Sequence, residues 1–334
     1  RLIGSYTATW NITDDLYVRG RFSADVTSNK VEDKQPNERP IAYENTGFFS
    51  LGNQNANVYY TDLLASYSKQ LFKDLKFGIV GGYTATKSQD TYVQTETKNG
   101  LSVLNWFDLN SSISPNVRNE RYNYRNNMLR DALFGTVNFN FKDYWFIEGT
   151  LRRERISTMH PDNNVLYYPS VNSSLILSDL FQLPEVFNYA KLRGSWGIVG
   201  NYPDIYKSAL FYTQETLGVQ ANNGNAVLYT NLPTSSFGNE QIKPETKNEV
   251  EFGIETRMLN SRLGFDITYY NGLVKDQILE YTLPNSTGAS SILANVGSLR
   301  NSGWEFAING TPIQNDNFKW STTLNFSMNK NVIV

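Results

Sequence analysis

Between residues 246 and 272, apolar and polar side chains alternate twice, on either side of Leu259-Asn260-Ser261. Val250, Phe252, Ile254 and Met258 interleave with Glu249, Glu251 and Glu255. Leu263, Phe265, Ile267 and Tyr269 interleave with Arg262, Asp266 and Thr268. Side chains along a strand change face at every residue, so the pattern predicts an antiparallel hairpin with one apolar face and one charged face.

The same alternation recurs along the chain. Twelve strands are predicted, at residues 2–10, 16–26, 61–72, 75–86, 129–141, 144–156, 169–178, 190–200, the two arms of 246–272, 296–310 and 318–330. Leu133, Gly135, Val137, Phe139 and Phe141 oppose Phe134, Thr136, Asn138 and Asn140. Near the end, Trp320, Leu324, Phe326 and Met328 oppose Lys319, Thr323, Asn325 and Ser327. Short links such as Lys73-Asp74 and Lys142-Asp143 alternate with polar stretches at 27–60, 87–127 and 201–245, all predicted as loops. Structureless loops of that length argue against a compact soluble domain. A membrane barrel carries tight turns on one rim and long external loops on the other. On that reading 259–261 is a periplasmic turn, 201–245 an external loop, and Val250, Phe252, Leu263 and Phe265 meet lipid. Aromatic residues near predicted strand ends (Trp10 and Tyr17, Tyr59 and Tyr60, Phe72 and Phe77, Tyr144 and Trp145, Trp320) suit interfacial girdles.

Composition narrows the classes. Among 334 residues there are 21 Tyr, 19 Phe and 6 Trp, which favours strand. Cysteine is absent, excluding disulfides, thiolate chemistry and Cys-ligated zinc. The net charge of -2 supplies no field for nucleic acid. Mean hydropathy is -0.44 and no run approaches the roughly 20 apolar residues of a membrane helix, which leaves a barrel open.

Several stretches, in one order, resemble the SusC/RagA-type TonB-linked outer-membrane transporters (TonB-dependent receptors). They are Leu133-Phe134-Gly135-Thr136-Val137-Asn138-Phe139, the run from Lys191 through Gly194-Ser195-Trp196-Gly197 to Asn201, and Ile242-Lys243-Pro244-Glu245 running into Glu249-Val250-Glu251-Phe252-Gly253. Asn260 to Asn271, Asn295 to Phe306, and Phe318-Lys319-Trp320 continue the series. Two positions depart from the family pattern: Pro244-Glu245, and Trp304 before Glu305-Phe306. The resemblance implies an all-β fold, an antiparallel transmembrane β-barrel of about 22 strands closed around a plug. The chain would be part of one barrel domain in the Gram-negative outer membrane, with plug, TonB box and terminal strands outside it. It also implies nutrient import with a SusD-like surface lipoprotein and TonB as partners, glycans as substrate and oligopeptides as the alternative. A soluble β-sandwich acting as a surface binding module is the competing architecture.

No residues support an enzyme or a cofactor. His160, the one histidine, has no Cys or second His beside it for a triad or zinc site. Glu249, Glu251 and Glu255 offer carboxylates for glycoside cleavage, but neighbours two apart on one strand lie closer than hydrolase geometry wants. Asp14-Asp15 and Asp162-Asn163-Asn164 fit turn chemistry better than calcium ligation. The candidate substrate contacts are Trp106, Arg118, Arg121, Tyr122 and Tyr124, in the predicted loop 101–126, where aromatic faces and guanidinium forks suit sugars or carboxylates.

Overall fold

The structure, a computed structural model, describes residues 1–38, 47–114, 121–209, 214–215, 220–221, 224–225, 228–229 and 236–334. Twelve long strands follow one another in chain order in a single sheet. They are β1 (Leu2–Asn11), β2 (Leu16–Gln35), β3 (Phe48–Phe72), β4 (Leu75–Glu96), β5 (Arg121–Phe141) and β6 (Trp145–Ile156). Then come β7 (Val165–Ile176), β8 (Phe187–Asn201), β9 (Glu245–Met258), β10 (Leu263–Lys275), β11 (Leu299–Gln314) and β12 (Lys319–Ile333). All twelve predicted strands are present, and in the described residues the links alternate between short and long.

The chain forms two compact units. One comprises residues 1–8, 19–63 and 84–130, the distal parts of the early strands. Here the sequence reading is corrected: 27–60 is largely strand and 87–127 is strand at both ends, since β2 runs to Gln35, β3 begins at Phe48, β4 runs to Glu96 and β5 begins at Arg121. Tyr59 and Tyr60 therefore lie within β3, away from its end. The cause is chemical. These stretches carry polar side chains on both faces, so no hydrophobic alternation marks them. Side-chain bonds tie the strands instead: Gln54 donates to Asp90 (3.2 Å) and Tyr124 (3.3 Å), and Tyr124 donates to Asp90 (3.1 Å).

The second unit comprises 9–18, 64–83 and 131–334. Its register confirms the predicted faces. Phe252 pairs with Tyr269 and Gly194, and Tyr269 pairs with Trp304, which pairs with Met328. One residue along, Arg193, Gly253, Thr268, Glu305 and Ser327 form the neighbouring row on the other face. Trp304, the departure from the family pattern, thus extends an apolar row, its ring 4.9 Å from that of Tyr269. The short turns are built by backbone that few side chains favour: Lys142 and Asp143 have φ of 51° and 55°, and Leu259, Asn260 and Ser261 have 55°, 57° and 61°. The first matches a two-residue hairpin turn. At the other end, residues 236–244 and 276–298 fold together as a three-stranded sheet of Ser236–Phe237, Ile278–Thr282 and Ser291–Asn295. Ile242 is fully buried beside it, and Asn295 bonds reciprocally to Lys243.

Candidate functional site

The two faces of the wall have opposite chemistry. On one, Phe252, Leu324 and Phe326 are about 60% exposed and Leu133 and Leu151 more than half. Nothing among the described residues covers them. A sandwich would bury such a face against a second sheet. The opposite face carries charges paired in the plane of the sheet. Arg193 on β8 reaches across β9 to Asp266 on β10, giving two parallel bonds of 3.1 and 2.8 Å, and also donates to Thr268. Gly253 on β9 permits the crossing, because a Cβ there would lie 2.9 Å from Arg193 Cγ. Arg193 and Glu251, with Glu148, Asn172 and Ser195, line a cavity of about 610 Å³.

Towards the long loops the same unit holds a buried carboxylate, Glu154. Arg152 donates to its Oε2 (2.9 Å through Nε), while the Tyr168 and Tyr202 hydroxyls lie 3.3 and 3.2 Å from its Oε1 and 2.6 Å from each other, so two protons are shared among three contacts. Burial, then the hydrogen bond with Tyr168, holds the Tyr202 hydroxyl far above the usual phenol range.

Of the predicted contact residues, Trp106 lies in a loop and Arg121, Tyr122 and Tyr124 lie in a strand. Trp106 is half-exposed in a loop closed by the Leu101–Ser112 bridge, with its backbone bonded to Val103 and Asp108. Arg118 lies outside the described residues. Arg121, Tyr122 and Tyr124 are in β5, so the loop assignment of 121–126 is corrected to strand. Tyr124 stacks on Tyr92 (5.6 Å between ring centres) and bonds Asp90. Of the five, Trp106 and Tyr124 have described side chains; that of Tyr124 is engaged with its own neighbours, and that of Trp106 is half-exposed. Among the described residues no group of three acidic or histidine side chains could hold a metal. His160 accepts a 3.4 Å bond from the Asp162 amide, which makes 160–163 a turn.

Residues 1–331 match the family model described as TonB dependent receptor-like, beta-barrel. The chain belongs to this family. TonB-dependent receptors of this kind are outer-membrane barrels, and the exposed apolar face meets lipid while the charged face lines the lumen. Two curated TonB-dependent receptors illustrate the relationship. One, P26 of Formosa agariphila, is 28% identical over 99% of this chain and 33% of its own length. The other, SusC of Bacteroides thetaiotaomicron, is 28% identical over 64% of this chain and 21% of its own length. The chain thus spans a third or less of these relatives. Among solved structures, the RagAB peptide transporter superposes with a TM-score of 0.88 at 18% identity, covering 99% of this chain and 36% of that one. The Arg193–Asp266 pair and the Glu154 cluster escaped the sequence reading. Arg193 sits inside a recognised stretch, but only the strand register reveals its partner two strands away.

Proposed function

We propose that this chain forms barrel wall, lumen lining and external loops of an active importer that moves oligosaccharides across the outer membrane. TonB supplies the energy through a plug, and a SusD-like lipoprotein captures substrate above the barrel. The observation that supports this reading is the two-faced wall: an uncovered apolar face backed by a face of in-plane ion pairs, the arrangement of a lipid-embedded, water-filled barrel. Oligopeptides are the second reading, favoured by the fold shared with the RagAB peptide transporter. Among the described residues no side-chain constellation supports a reaction.

Two measurements test the proposal. The full-length protein, extracted in detergent, should migrate faster unheated than boiled; solubility in plain buffer with identical migration would overturn the barrel reading. Cells producing it should accumulate labelled oligosaccharide only when TonB is present. Uptake of peptide and not glycan would transfer the assignment to the second reading. Trp106→Ala should reduce uptake if this residue touches substrate, and unchanged uptake would remove it as a contact.

A further inference from the structure

A cavity of about 190 Å³ lies where the link after β6 meets the segment after β8. Thr158, Met159, His160, Tyr206, Ser208 and Glu240 line it. Its base is fixed. Thr158, Met159 and Ser208 are each more than nine-tenths buried, and the Ser208 hydroxyl donates to the Thr158 carbonyl at 2.7 Å, pinning one segment to the other. The Thr158 hydroxyl is buried and has no partner among the described residues, so the floor keeps hydrogen-bonding capacity that the protein does not use. At the rim, Tyr206 is 46% exposed and held at a φ of 64°. That backbone region costs an aromatic residue energy, and such outliers concentrate at binding sites.

We infer that this cavity is a subsite for one neutral sugar ring, an inference that rests on the glycan-import reading. Size comes first. Pockets for drug-sized ligands hold roughly 300–1,000 Å³, so this one admits a single ring and not an extended chain. Charge comes second. Among the described residues the lining contains the Glu240 carboxylate and no Lys or Arg, while Lys207 is turned to Glu280 at 3.8 Å, so phosphate, sulfate or uronate would meet repulsion. Donor balance comes third. The Thr158 hydroxyl donates and accepts, the Ser208 hydroxyl, its proton given to the Thr158 carbonyl, accepts, Glu240 accepts, and His160, whose Nδ1 accepts from Asp162, keeps Nε2–H as a donor. That mixture suits the hydroxyls of a sugar, whereas an ammonium group needs acceptors alone. The Tyr206 ring offers a flat apolar surface to the C–H face of a pyranose.

The test uses the full-length protein in detergent, titrated calorimetrically with neutral oligosaccharides (α-glucan, β-glucan, mannan and fructan hexamers) and with lysine-rich hexapeptides. Variants are Tyr206→Ala, Tyr206→Phe and Glu240→Gln, each checked for the unheated gel shift. A glycan that binds the wild type should bind Tyr206→Ala about tenfold more weakly and Tyr206→Phe almost normally. Equal binding by all variants would overturn the subsite and leave the import reading standing. Binding of peptide in place of glycan, lost in Glu240→Gln, would overturn the sugar assignment. No glycan bound by the wild type would overturn subsite and glycan import together.

Discussion

Arg193 and Asp266 are joined across a strand to which neither belongs. Arg193 extends from β8 over Gly253 on β9 and meets the Asp266 carboxylate on β10 with both ends of its guanidinium. The pair therefore links three strands on the lumenal face, where ladder bonds alone link two at a time. Both side chains are about a third exposed, so solvent screens the interaction. In a double-mutant cycle of Arg193→Met and Asp266→Asn, followed by urea unfolding in lipid vesicles, the coupling should be about 1 kcal/mol. Additive single effects would mean that the geometry carries no energy.

Gly253 owes its place to this crossing. Its missing Cβ leaves the channel that the Arg193 side chain occupies. Gly253→Val should displace the guanidinium and lose the same coupling energy, even though valine is the better strand former. Repeating the substitution in an Arg193→Ala background, which removes the side chain from the channel, separates the two effects: valine should then be neutral or mildly stabilising. Destabilisation of equal size in both backgrounds would point to a backbone cause instead.

The face assignment can be tested residue by residue. Phe252 points to lipid and Glu251, its neighbour in β9, to the lumen. Arginine at a lipid-facing midplane position costs about 2–4 kcal/mol. Phe252→Arg should therefore destabilise the barrel by that order in folding titrations, while Glu251→Gln should change stability little. Comparable losses at both positions would invert or dissolve the two-faced wall.

These contrasts show why some elements could be read in the sequence and others could not. The strands in lipid announce themselves because hydrocarbon demands an apolar residue at every second position, as in Phe252, Ile254 and Leu324, Phe326. Where β3, β4 and β5 leave that constraint, Gln54, Asp90 and Tyr124 hold the strands by hydrogen bonds that have no period, and the stretch reads as loop. Tyr124, one of the candidate contacts, reads as loop chemistry for the same reason and is a strand residue bonded to its neighbours. Arg193 and Asp266 are 73 residues apart, and only the register brings them together. Thr158, Tyr206 and Glu240 meet through links between strands, whose course no alternation predicts.

The turn at 259–261 keeps three consecutive side chains in the left-handed region, Leu259 among them with half its surface exposed. The Leu259 amide donates to the Val186 carbonyl and the Ser261 amide to Asn188, so the backbone is held from outside. Glycine adopts this conformation without the roughly 1 kcal/mol penalty of an L side chain, and it keeps the amide. Leu259→Gly should raise the urea midpoint accordingly. A fall would show that the apolar contacts of Leu259 outweigh its strain.

Asp143, in the turn between β5 and β6, makes stability depend on pH. Bonds from Lys76 at 2.8 Å and then from Asn140 at 2.7 Å hold its carboxyl below the usual carboxylate range. A carboxyl with a lowered folded-state pKa stabilises the fold fully above its unfolded value of about 3.9, and the contribution disappears as pH falls towards the folded value. The stability difference between wild type and Asp143→Asn should therefore be constant from pH 7 to about 5 and shrink below about 4. Lys76→Met removes the leading cause, which moves the folded pKa up towards the unfolded one and flattens the pH dependence. Parallel stability curves for all three proteins between pH 7 and 3 would show that this exposed pair contributes nothing the solvent does not already supply.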